Sequence, residues 1–238
     1  MRVLTHTSLA ERNAKIGQYA SMGGLFLLIG AFILNLLALN NQQDPTLIVY
    51  VFAAFLVGFT LTNIGTVFSN RWARRPHRGL TDALKGLDER YTLYNYRLGA
   101  AHVLVGPGGV YVLLPKYQTG PVAFQKNKWV AANARRGLFT RFFAPDPLGH
   151  PSNEAAYEVD NLNAFLKKRA PELSALPQPL IIFMSPSAEV AAKESPIPAL
   201  HVKQLKDYVR RQPKGPTLSA LQLATLEETL GLAVTSNE

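Results

Sequence analysis

The chain contains no cysteine. That excludes disulfides, thiolate metal sites and a cysteine nucleophile. Acids are scarce: 16 Asp and Glu stand against 25 Lys and Arg, for a net charge of +9. Such a chain favours nucleic acid or an anionic lipid surface, and charge alone does not choose between them. The histidines are scattered, with no pair at metal-ligand spacing. There is no internal repeat and no Ser-His-Asp arrangement. No glycine loop of the phosphate-binding kind is present either, because Gly106 to Gly109 precedes a strand pattern and not a helix.

Charge is missing altogether from Ser21 to Leu39 and from Leu47 to Phe68. Each run has the roughly twenty residues an α-helix needs to cross a bilayer core. The first starts too late and runs too long for a cleaved signal peptide, and a second follows it. The linker Asn40 to Thr46 is short enough to force an antiparallel hairpin. Arg71, Arg74, Arg75 and Arg78 follow the second run with no acid among them. The positive-inside rule then makes this a two-pass integral membrane protein with both termini cytoplasmic and Asp44 outside. The expected order is a cytoplasmic segment 1–20, spans 21–39 and 47–68, a basic juxtamembrane linker 69–78, a domain 79–212, and a C-terminal helix and tail 213–238. The arginines are expected to touch anionic headgroups, with nucleic acid as the alternative. Ala54, Gly58, Thr62 and Thr66 recur every fourth residue, a small-residue stripe for close helix packing. It serves either a homo-oligomer or the hairpin itself. Asn35 and Asn63 lie at different depths and each needs a partner.

From Gly79 the patterns change. Leu80 to Arg90 reads as a helix, and Tyr91 to Arg97 as a strand. Ala101 to Val105 and Val110 to Leu114 form a β-hairpin around Gly106-Pro107-Gly108-Gly109. Both arms are too apolar for an exposed strand, which predicts a central position. Pro115 should end or bulge the second arm. Short strands are expected at Pro121 to Phe124 and Lys128 to Ala131. A helix capped by Ser152 should run to Arg169. Strands follow at Gln178 to Met184 and Ala199 to Val202, then helices over Lys203 to Arg211 and Thr217 to Leu232. Lys126, Lys128, Arg135, Arg136 and Arg141 form a second basic surface, interleaved with Phe139, Phe142 and Phe143. Its readings are a loop capping the core, a membrane-interface surface or a nucleic-acid stacking platform.

His102, Val103 to Val105, Gly106-Pro107-Gly108-Gly109, Val110 to Leu113, Lys116 and Gly120 carry a resemblance. The stretch resembles the core of the nuclease-related domain (NERD) family, specifically from Gly79 to Gly120 and more weakly to about Lys206. The resemblance implies an α/β, restriction-endonuclease-like mixed sheet flanked by helices. In that family an Asp and a Glu on adjacent strands hold a divalent cation, a Lys two residues on orients water, and a Glu on the preceding helix supports the site. Those places fall here on Ala101, Leu114, Lys116 and Leu80. Where the family has Asn-Pro-x-x-Gln, this chain has His150-Pro151-Ser152-Asn153-Glu154. The implied protein is an inactive, membrane-anchored binding or scaffolding module without a cofactor. Two alternatives stand beside it. Asp82 or Glu154 supplies a migrated ligand and the domain is an active Mg2+-dependent nuclease, or the domain is a structural partner of another membrane protein. His102 is read either as a hydrogen-bonded core residue or as a general base.

Overall fold

The computed structural model describes residues 1–40, 45–131, 148–169, 171, 176–212 and 228. The chain divides into two compact units, residues 7–76 and residues 1–6 with 77–238.

The first unit is a helical hairpin. Helix α1 spans Thr7–Asn40 and α2 spans Pro45–Phe68, about 50 and 36 Å at the usual rise per residue. Both are long and apolar enough to cross a membrane. Large side chains such as Phe26, Phe32, Phe52 and Phe59 are exposed on them. The buried positions are small and recur every seventh residue: Ala10, Gly17, Gly24 and Ala31 on α1, Val51, Gly58 and Gly65 on α2. That period keeps one seam facing its partner along the whole pair. Residues this small let the backbones approach closely. A Cβ on Gly24 would sit 2.6 Å from the Thr62 backbone nitrogen and 2.8 Å from the Gly58 carbonyl oxygen. Gly58 and Thr62, half of the expected stripe, are therefore consumed inside the hairpin.

Two boundaries differ from expectation. Residues 1–20 do not form an element of their own: Arg2–Thr5 is a strand, and α1 begins at Thr7 and runs on through the first apolar run. Ala10, Glu11, Ala14 and Lys15 are good helix formers, so the helix propagates back from the apolar run. The basic linker over 69–78 is helical too, a π-helical turn at Ser69–Ala73 followed by α3 at Pro76–Leu84.

The second unit is an α/β domain. Its main sheet contains β1 (Arg2–Thr5), β2 (Thr92–Asn95), β3 (His102–Gly106), β4 (Gly109–Lys116), β7 (Gln178–Phe183) and β9 (Ala199–His201), in the order β1-β2-β3-β4-β7-β9. The β3–β4 hairpin is central and buried on both faces, as its apolar composition required. β4, β7 and β9 run parallel, and β3 is antiparallel to both its neighbours, so the sheet is mixed. A smaller sheet joins β5 (Gly120–Gln125), β6 (Lys128–Ala131) and β8 (Ala188–Ala191). Strands β1 and β8, four residues each, carried no recognised signal.

Helices cover both faces. α3 and α5 (Leu205–Arg211) bring Leu80, Leu84, Leu205 and Val209 onto Leu93, Leu104, Tyr111 and Leu113. On the other face α4 (Pro151–Arg169) lays Leu162 and Leu166 on Val103, Val105, Val110 and Val112. The helix expected over 80–90 ends at Leu84, and Gly86 takes the left-handed φ of +87° that such ends favour. Three successive carbonyls after it each receive a cation: Lys206 Nζ donates to Lys85, Arg210 to Gly86 and the Met1 amine to Leu87. These groups answer the negative end of the helix.

Pro115 does not end β4, which pairs with β7 as far as Lys116↔Phe183. By that point β3 has finished, so one side of the strand has no ladder to lose. Ser152 is not a cap either. The helix starts at Pro151, and the Ser152 hydroxyl accepts from Trp129 Nε1 at 2.8 Å. The expected helix over 217–232, apart from Glu228, and the Arg135–Phe143 run lie outside the described residues.

Candidate functional site

Side chains alternate across a strand. On β4, Val110 and Val112 pack toward α4 while Tyr111 and Leu113 pack toward α3. Leu114 and Lys116 therefore face α4, and Leu114 lies half-buried beside Ala155 of that helix. On β3, Val103 and Val105 face α4. Ala101 precedes that strand in a bend and reaches α4 through its main-chain N–H. Ala101, Leu114 and Lys116, separate in sequence, are thus all met by α4.

Two glutamates of α4 lie over them, one helical turn apart. Glu154 holds Lys116 with both oxygens, at 2.9 and 2.8 Å from Nζ. Lys116 is only 7% exposed, so its ammonium has traded water for this carboxylate. Glu158, also buried, accepts the Ala101 backbone N–H at 2.8 Å. Gly149 closes the edge with φ +63°, and a Cβ there would lie 2.7 Å from Glu154 Oε1. Conformation favours glycine at that point, and a side chain there would displace the Glu154 carboxylate.

Other candidates lie elsewhere. His102 shares the Leu104 side of β3, the face away from Lys116. Its Nδ1 is 2.8 Å from Asn95 Oδ1, and Asn95 Nδ2 donates to Thr5 Oγ1. Tyr96 lies edge-on to His102, with ring centroids 4.9 Å apart, and His77 lies edge-on to Tyr96. This is the hydrogen-bonded core reading of His102. Leu80 is buried on the α3 face, remote from Lys116 by the thickness of the sheet. Asp82 lines a cleft with Met1, Val3, Thr81, Lys85 and Leu87. Of the two proposed migrated carboxylates, Glu154 is the one that reaches Lys116. Lys126 and Lys128 are exposed at the β5–β6 turn, where Lys126 and Asn127 both adopt positive φ. Arg71 stacks over the Trp72 ring at 5.8 Å, and Arg75 and Arg78 are exposed. Arg135, Arg136 and Arg141 lie outside the described residues.

Sequence reasoning missed Glu158 and Gly149. Glu158 had a signal, since it sits four residues before Leu162 on the apolar stripe of its helix. A carboxylate there must find a donor when the helix docks. Among the described residues no group of three or more His, Asp or Glu is placed to hold a metal ion. Comparison with family models, with characterised proteins and with solved structures returned no match. The family resemblance therefore rests on the motif in this chain alone.

Proposed function

We propose that this chain is a membrane-anchored, cytoplasmic, nuclease-like domain that has lost its chemistry and works as a binding or scaffolding module. The observation that carries this is the Lys116–Glu154 pair. In the resemblance a lysine at this place orients water for a metal-bound reaction. Here its ammonium is neutralised bidentately, and the places of the family's two carboxylates hold Ala101 and Leu114. Magnesium needs hard oxygen ligands, usually carboxylates with water and phosphate. The residues present do not fit that ion: Glu154 is engaged by Lys116 and Glu158 by a main-chain N–H. The restriction-endonuclease-like fold is part of this proposal, supported by the mixed sheet with helices on both faces.

The anchoring has independent support. Residues 1–6 belong to the same unit as 77–238, and the apolar hairpin runs between them. A hairpin whose two ends return to one domain is what two crossings would give, and this supports the reading. The arginine-rich exit argues for the cytoplasmic side. The ligand proposed for the basic surface is the anionic headgroup layer before nucleic acid, because a tethered domain meets lipid at high effective concentration.

A second reading is kept by one observation: Glu154 and Glu158 lie together over the place where ligands are missing. Full-length protein, with magnesium or manganese and DNA or RNA, separates the two. No cleavage is expected from the unmodified chain. Metal-dependent cleavage that disappears in Glu154→Ala would establish relocated ligands and overturn the inactive reading.

A further inference from the structure

The outer face of α2 carries a seam that the hairpin does not use. Val49, Ala53, Leu56, Thr60, Asn63 and Val67 are all exposed, and their spacing alternates four and three residues. Thr60 and Asn63 each lie two residues from an inner-seam glycine, Gly58 or Gly65, about 200° around the helix. They therefore point away from α1. Asn63 Nδ2 donates to the Phe59 carbonyl at 2.8 Å, and its Oδ1 has no partner among the described residues. Thr60 donates to the Leu56 carbonyl at 2.8 Å. In water an exposed amide is harmless. In hydrocarbon, an acceptor without a donor is costly.

We propose that α2 pairs through this seam with α2 of a second copy, in parallel, with Asn63 against Asn63. The proposal rests on the membrane-spanning reading above. The occupant follows from symmetry. Two copies inserted in one orientation bring the same residue to the same depth. A carboxamide offers both donor and acceptor, so the free N–H and Oδ1 of one Asn63 complement those of the other across a two-fold axis. The alternating spacing is that of a two-stranded coiled coil, in which a single Asn fixes register and strand number. Ala53 and Thr60 are small enough for close approach at the levels above. This moves the oligomer contact from the stripe Ala54, Gly58, Thr62 and Thr66, part of which the hairpin consumes, to the opposite side of the helix.

The absence of cysteine makes the test clean. Single substitutions Leu56→Cys, Thr60→Cys and Val67→Cys lie on the seam, and Val57→Cys and Thr66→Cys lie about a quarter turn off it. Full-length protein in native membranes should form disulfide-linked dimers from the first three and little from the last two. Adding Asn63→Leu to Thr60→Cys should cut the dimer about five-fold or more, while Asn63→Gln should preserve most of it. Equal cross-linking at all five positions, none at any, or indifference to Asn63→Leu would each overturn the proposal. Alkaline extraction of the same membranes separates the two layers of argument. Protein that stays in the membrane without cross-linking defeats the pairing alone, and protein that is released defeats the membrane reading with it.

Discussion

Tyr91, Tyr111 and Tyr208 share the core between the main sheet and its α3–α5 side. The Tyr111 hydroxyl donates to the Gly108 carbonyl at 2.9 Å, closing the β3–β4 turn. Burial pushes Tyr111 up to about 12 and raises Tyr91 and Tyr208 as well. The sign follows from linkage. These phenols stay neutral in the folded chain, while an unfolded tyrosine ionises near its ordinary value of about 10. Their full contribution is present below that value and is lost as pH climbs from about 10 through about 12. Thermal unfolding followed across that range should show a steep alkaline fall. Tyr111→Phe should make the fall shallower, at a cost of about 1 kcal/mol at neutral pH for the lost hydrogen bond. An unchanged alkaline profile in that variant would remove Tyr111 from the explanation.

At the scale of elements, the helical hairpin is built on what its seam lacks. Seven small or modest residues at seven-residue spacing set how closely α1 and α2 approach. A side chain on Gly24 would collide with Thr62 backbone and hydroxyl, whereas one on Gly30 meets nothing within 4 Å. Gly24→Leu should therefore destabilise the hairpin by about 1–3 kcal/mol, as overpacking does, and Gly30→Leu should be nearly neutral. Thermal aggregation of the two detergent-solubilised variants would measure the difference. Equal behaviour would mean that the seam is not where the helices touch. The same scale explains why the candidate site differs from a list of conspicuous residues. A helix docked on a strand pair selects side chains by face, which joins Lys116 to Glu154 and leaves His102 on the far side of the sheet.

At the scale of the molecule, the order of elements carries a dependence that no single element reveals. β1 pairs in parallel with β2 from Arg2↔Thr92 to Thr5↔Asn95, across the whole length of the inserted hairpin. Asn95, fully buried, gives its Nδ2 to Thr5 and faces His102 with its Oδ1. A chain lacking residues 1–6 loses an edge strand and leaves a buried donor unpaired. Such a deletion should cost about 2 kcal/mol or more. Hydrogen exchange should report it as faster exchange in β2, with β7 and β9 little changed. Unaltered protection in β2 would show that the N-terminal strand is dispensable. For the same reason, a fragment starting at residue 79 is a poor stand-in for the domain.

The sequence by itself determined what depends on near neighbours. Two charge-free runs make two apolar helices, since they hold no ionised group that would have to stay in water. The β3–β4 hairpin and its central place follow from apolar arms around a Gly-Pro-Gly-Gly turn. The small period of α2 was legible in part, through Gly58 and Thr62. Tertiary structure alone decided what depends on groups distant in the chain. Arg2–Thr5 has too few residues to announce a strand, and becomes one because β2 offers a free edge. Gly17, Gly24 and Ala31 acquire meaning only once α2 lies against them. Glu154 and Glu158 reach Lys116 and Ala101 because α4 docks on one face of β3 and β4, and a buried ammonium or main-chain N–H must be answered by whatever that docking brings within hydrogen-bonding distance.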